Sequence, residues 1–143
     1  MTSSAFWGFG ALLQYGNGAT PEVFTSIAEA TAIKPPALSR DSMEMTNHSS
    51  TNAWREFLPG LRDGGEVTYE GNWLPTNATQ NGTTGVLESF NDNENHNWKF
   101  VLPGSILTIS FTGHVTAFEG ESPMDNVGKL SLTIKISGEV TFA

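Results

Sequence analysis

Three histidines, fifteen carboxylates and no cysteine are what this 143-residue chain offers for chemistry. The missing cysteines remove thiolate nucleophiles, thiolate metal sites and disulfides together. His48, His96 and His114 are scattered, and none has a second ligand three or four residues further on, the spacing of a zinc-binding helix. Asp92 and Glu94 sit in a polar run resembling a calcium loop, but the glycine and the distal glutamate that such a loop needs are absent. A carboxylate pair could hydrolyse a glycoside, yet nothing in the order of residues selects one. No phosphate loop, dinucleotide fingerprint or nucleophile elbow occurs. Asn47-His48-Ser49, Asn77-Ala78-Thr79 and Asn81-Gly82-Thr83 match the glycan acceptor pattern, as chance produces in a chain rich in Asn and Thr. The residues therefore predict a structural protein, not an enzyme, with no cofactor and no metal.

Charge narrows the partners. Seven basic against fifteen acidic residues give a formal net charge of -8. Such a chain does not wrap nucleic acid through its phosphates, which takes a basic face. It suits a surface past which nucleic acid slides without sticking. The first residues, MTSSAFWGFGALLQYG, lack a basic leader, and their apolar run is broken by Gly8 and Gly10, so neither a signal peptide nor a membrane span is expected. The length fits one domain, 1–143.

The elements read mostly as strands. Residues 1–8 have no period and are expected to form a flexible arm, made adhesive by Phe6 and Trp7. Phe9, Ala11, Leu13 and Tyr15 alternate as a strand ending at Gly16-Asn17-Gly18. Val23 to Ala28 is a weaker strand, and Lys34-Pro35-Pro36 is a stop. Ser39 to Thr46 alternates again. A long inter-strand loop is expected over 47–65, followed by a strand from Glu66 to Trp73. Val86, Leu87 and Phe90 lie at helical spacing, with Val86 and Phe90 expected to cover a sheet. Strands resume at Trp98–Leu102 and, after the Pro103-Gly104 turn, at Ile106–Ala117. A final strand runs from Leu130 to Phe142. The expected fold is mainly β, a sandwich or barrel with one short flanking helix.

Two features point outward. Asn52 to Trp73 opens with Trp54, Phe57, Leu58 and Leu61, turns at Pro59-Gly60 and Asp63-Gly64-Gly65, and becomes a strand. An apolar cluster between glycine turns suits docking better than catalysis. The faces opposite the apolar ones carry Thr68, Glu70, Thr108, Ser110, Thr112, Ser131, Thr133, Ser137, Glu139 and Thr141. Free sheet faces and edges more often carry interspersed charge and protective lysines. A smooth, wetted surface explains the Ser/Thr preference, and so does a merely solvated face.

The run Phe57-Leu58-Pro59-Gly60-Leu61 with Asp63-Gly64-Gly65-Glu66-Val67 resembles the tail tube proteins of long, flexible-tailed, lambda-like bacteriophages, the siphoviruses. The order of elements after it is similar too: a Trp73-Leu74-Pro75 break, a short helix through Leu87 and Phe90, a Pro-Gly hairpin and a closing strand with Lys135-Ile136-Ser137-Gly138. The resemblance covers residues 9–143 in layout, though some relatives carry an extra immunoglobulin-like domain for which this sequence has no counterpart. It implies the fold shared by phage tail tubes and type VI secretion tubes, and hexameric rings stacked into a conduit for DNA ejection. Six copies at -8 each carry -48, a lumen charge that repels phosphate. The resemblance also implies assembly in the host cytoplasm, residence in the virion tail, and tape measure, tail tip and tail terminator proteins as partners, with no membrane. By its analogy the arm and the loop meet neighbouring subunits through Phe6, Trp7, Trp54, Phe57, Leu58, Leu61, Arg62 and Asp63. The polar strand faces become candidates for the lumen. Alternatives are a contractile secretion-system tube, a hydrolase, and a carbohydrate-binding sandwich using Trp7, Trp54, Trp73 or Trp98.

Overall fold

A computed structural model describes residues 3–143; Met1 and Thr2, the start of the expected arm, lie outside the described residues. Its strands are β1 (Leu12–Gly16), β2 (Phe24–Ser26), β3 (Ala30–Lys34), β4 (Ser39–Glu44), β5 (Phe57–Asp63), β6 (Glu66–Asn72), β7 (His96–Val101), β8 (Thr108–Glu121), β9 (Lys129–Ile136) and β10 (Thr141–Phe142). The helix α1 spans Val86–Asn91. Eight strands form one antiparallel sheet in the order β2-β1-β7-β8-β9-β6-β3, with β10 also paired to β8. The remaining two, β4 and β5, form a separate ribbon.

Period-two alternation builds the sheet. Leu130, Leu132, Ile134 and Ile136 on β9 are buried beside Val67 and Tyr69 on β6 and Ile109, Phe111 and Val115 on β8. Branched and aromatic side chains on one face, with Ser and Thr on the other, fit a pleated surface wetted on one side. A single sheet encloses this core by curling, so that β3 at one edge approaches β1 beside the other. The helix caps the opening by inserting Val86, which is fully buried, while packing on β8.

Several expectations are corrected. The loop over 47–65 is shorter, because Phe57–Asp63 is strand β5, paired antiparallel to β4 with Met43 opposite Leu58 and Arg40 opposite Arg62. The stretch before Lys34-Pro35-Pro36 holds a further strand, β3, whose small alanines signal little alone and which pairs with β6 around a bulge. In α1 the buried positions are Val86 and Ser89, and Phe90 faces solvent. The helix has only six residues, and Gly85, packed against the backbone of Thr79 to Asn81, fixes its entry. The final strand divides. After Ile136 the chain breaks at Ser137–Val140 and resumes as β10 along the same flank of β8, Thr141 opposite Ser110. A bulge between Val115 and Ala117 also shifts the phase of β8, so Glu119 and Glu121 share the polar face with Ser131 and Lys129.

Candidate assembly interface

The ribbon is the least self-sufficient part of the molecule. Every residue of β4 is exposed, and on β5 only Gly60 is partly covered. Met43, Met45, Phe57 and Leu58 are each about half exposed, Trp54 is 74% exposed and Leu61 is 83% exposed. A two-stranded hairpin is marginal in water unless something covers it. Within the chain its support is polar. Arg55 donates to both carboxylate oxygens of Glu44 at 3.1 Å, and those contacts hold the exposed Glu44 carboxyl below its ordinary range. At the root, the Gly65 N–H donates to Asp63 at 2.8 Å and Lys135 lies 3.4 Å away. The same two partners, the backbone N–H first, lower the Asp63 pKa. Gly64 and Gly65 are required where the ribbon joins β6. A Cβ on Gly64 would strike Ile136, and Gly65, at φ +71°, lies against the Ala37 carbonyl.

The expected arm contributes a second apolar feature. Trp7 stacks on Phe9 with ring centroids 5.0 Å apart, and Phe6, Trp7 and Phe9 are all exposed. The arm leads into β1, whose first residue Leu12 is opposite Val101, the last of β7. The ribbon enters β6, whose Glu66 is opposite Lys135 near the end of β9. These strand ends belong to one end of the sheet, so arm and ribbon project from the same pole. Along the sheet β7, β8 and β9 separate them, whereas across the closure only β3 lies between β1 and β6. Phe57, Leu58, Leu61, Arg62 and Asp63 thus lie along β5 and Trp54 in the connection before it, whereas Phe6 and Trp7 belong to the arm. Sequence reasoning missed Leu38, Met45 and Phe9 as exposed apolar groups. Met45 alternates with Met43 in the sequence, but nothing there distinguishes an uncovered face from a core one.

The polar face is shared across the large sheet. Thr68 is opposite Thr133 and Glu70 opposite Ser131, Thr112 is opposite Asn97 and Thr108 opposite Val101, and Thr141 is opposite Ser110. Cross-strand partners point to one face, so these residues form one surface. Ser137 and Glu139 leave it, because they lie in the break between β9 and β10.

Beneath that face, one buried side chain ties three segments together. Gln80 accepts from the Leu74 N–H at 2.8 Å and donates to the Ala28 and Asn72 carbonyls at 3.1 Å each. Tyr69 also donates to the Ala28 carbonyl, at 2.7 Å, and burial, followed by the nearby Glu29, raises its pKa to about 12. This network fixes the 73–85 segment without any regular structure.

Among the described residues no three of His, Cys, Asp and Glu cluster as metal ligands, and no helix is long and apolar enough to cross a membrane. The tryptophans form no platform for a sugar. Trp98 is fully buried with its indole N–H on the Gly113 carbonyl at 3.1 Å, Trp73 packs under Gly120, and Trp7 and Trp54 sit on separate appendages.

Comparison with known proteins bears on the family and the fold. Residues 7–143 match the family model described as lambda phage tail tube protein. No curated protein sequence matches. The fold is similar to a chain in the C6-symmetric tail of an empty gene transfer agent particle, with TM-score 0.76, 18% identity, and 97% of this chain and 99% of that one covered. It is also similar to a chain of the sheath/tube terminator of the extracellular contractile injection system PVC, with TM-score 0.74, 11% identity, and 100% and 99% covered. The SPP1 tail tube structure gives TM-score 0.69 at 10% identity, covering 96% of this chain and 78% of that one. At these identities the likeness to solved structures is one of fold.

Proposed function

The chain belongs to the lambda phage tail tube protein family and is a structural tail tube component, and we propose that it acts by stacking hexameric rings of itself into the conduit for DNA ejection. The observation that carries this is the exposed β4–β5 ribbon, an apolar element that cannot bury its side chains within its own chain. Identical copies supply the cover. Phe6 and Trp7 of the arm and Trp54, Phe57, Leu58, Leu61, Arg62 and Asp63 of the ribbon meet neighbouring subunits, where aromatic and apolar anchors concentrate binding energy. The short edge strands β2 and β3 are open to pairing with neighbours, which closes the sheet edges into a ring.

In this assembly the Ser/Thr face with Glu70 lines the lumen. Its hydroxyls hold water, and the excess negative charge keeps phosphate from binding, so DNA passes without a specific site. The protein performs no catalysis and needs no cofactor. Its partners are itself and the tape measure, tail tip and tail terminator proteins, and it is built in the host cytoplasm and resides in the virion tail. Electron microscopy of the purified chain at rising concentration tests the proposal. Rings of six subunits and stacked tubes are expected, and a monomer at every concentration would contradict it.

A second reading is the tube of a contractile injection system, favoured by the TM-score of 0.74 to the PVC chain. Binding of a contractile sheath protein to preformed tubes separates the two, since a flexible tail has no sheath.

A further inference from the structure

All three arginines of the chain lie in or beside the ribbon: Arg40 on β4, Arg62 on β5, and Arg55 in the connection between them. Arg55 is matched to Glu44. Arg40 and Arg62 are direct cross-strand partners, and neither is paired with a carboxylate among the described residues. Arg40 has only a neutral partner, donating from Nε to the Gly60 carbonyl at 3.2 Å. Like charges directly opposite each other weaken a strand pair, so the fold of one chain gives no reason for this arrangement. Arg40 and Arg62 both line a groove of about 750 Å³ at the ribbon root, whose lining also includes the apolar Leu38, Ile136, Val140 and Phe142. Asp63 and Glu139 also border it, and Asp63 is already engaged by Lys135.

The opposite pole carries unmatched charge of the other sign. Strands β6, β8 and β9 reach it at Asn72, Glu121 and Lys129. There Glu70, Glu119 and Glu121 surround a shallow depression of about 530 Å³ with Lys129 as its one basic residue. None of the three glutamates has an ion-pair partner among the described residues, and Lys129 donates instead to Asn72 at 3.2 Å. Two arginines without a carboxylate partner at one end and an acidic depression at the other cannot meet within a chain. They meet in a head-to-tail contact between copies, the kind of interface that propagates instead of closing on itself.

We propose that Arg40 and Arg62 of one subunit dock on Glu119 and Glu121 of a second copy stacked above or below it, setting the polarity of the tube. The inference rests on the tube reading and adds to it the pair of surfaces that touch. In the contact the Arg–Arg repulsion is relieved by two carboxylates, and the groove's apolar lining residues are drawn out of water beside them. Charge complementarity of this kind chooses orientation and partner, and it rejects a reversed subunit, which would set Arg against Arg.

The test is a charge exchange in the full chain. R40E/R62E should leave the far-ultraviolet dichroism and thermal midpoint of the subunit close to wild type, yet raise the concentration for tube formation at least tenfold. R40E/R62E/E119K/E121K, which restores complementarity with the signs reversed, should recover tubes. The wild-type threshold should also rise severalfold between about 0.05 and 0.5 M salt, as screening predicts. Tubes formed equally well by R40E/R62E would overturn the proposal. So would a folded fourfold variant that fails to recover them, and a misfolded fourfold variant can be replaced by mixing R40E/R62E with E119K/E121K, which must then co-assemble. Absence of tubes from the wild type would instead defeat the tube reading itself, and this inference with it.

Discussion

At the residue scale, Gln80 and Tyr69 show how single polar groups hold an irregular segment. Gln80→Leu removes one acceptor and two donated bonds and leaves the Leu74 N–H and the Asn72 carbonyl without these partners. Stability should fall by about 2–4 kcal/mol, read from urea unfolding at neutral pH. Tyr69 makes a pH prediction. Its hydroxyl has a folded pKa of about 12 against an ordinary value of 10.0. The folded state therefore holds this proton more tightly than the unfolded chain. The associated stability is fully present below about pH 10 and is lost as pH rises toward 12. Tyr69→Phe should flatten that alkaline decline while lowering stability at neutral pH by about 1 kcal/mol for the lost hydrogen bond.

At the element scale, the proposed role of the ribbon makes folding and assembly separately measurable. Trp54 and Leu61 are among the most exposed apolar residues of the chain, so they contribute little to the isolated subunit. The double variant Trp54→Ala with Leu61→Ala should change unfolding free energy by less than about 0.5 kcal/mol. It should also raise the threshold for tube formation by tenfold or more, because interface anchors typically contribute about 1–2 kcal/mol each. Sedimentation across a concentration series measures the second effect and chemical denaturation the first. A large loss of stability with normal tubes would place these side chains in the subunit's own packing.

At the scale of the whole molecule, the curled sheet divides the surface by composition. One face is core, the other is a field of hydroxyls with Glu70 among them, and the two poles differ in charge. Thr68→Lys with Thr133→Lys, direct partners on β6 and β9, places cations on the hydroxyl face without touching the ribbon, the arm or the acidic depression. Tubes should form normally, and particles carrying them should eject DNA several times more slowly as phosphate binds the wall, an effect that weakens with added salt. Ejection at the wild-type rate would remove this face from the lumen.

The sequence by itself determined the β class, the core faces of β6, of β9 and of β8 as far as Val115, and the acidic balance. Alternation and composition are properties of residues within one strand's length, and Val67, Tyr69, Leu130, Leu132 and Ile134 are buried where that alternation places them. It also marked Trp54, Phe57, Leu58 and Leu61 as an apolar cluster bounded by glycine turns. Tertiary structure decided what no local pattern encodes. Only pairing to β6 makes a strand of Ala30–Lys34, and only pairing to β4 makes one of Phe57–Asp63. The exposure of Met45 and Phe90, the phase shift at the β8 bulge and the break before β10 likewise depend on partners distant in the chain. The same holds for the meeting of Arg40 with Arg62 and of Glu70 with Glu119 and Glu121. Side-chain type sets what a residue prefers, whereas register and curvature set which residues from remote strands must share a surface.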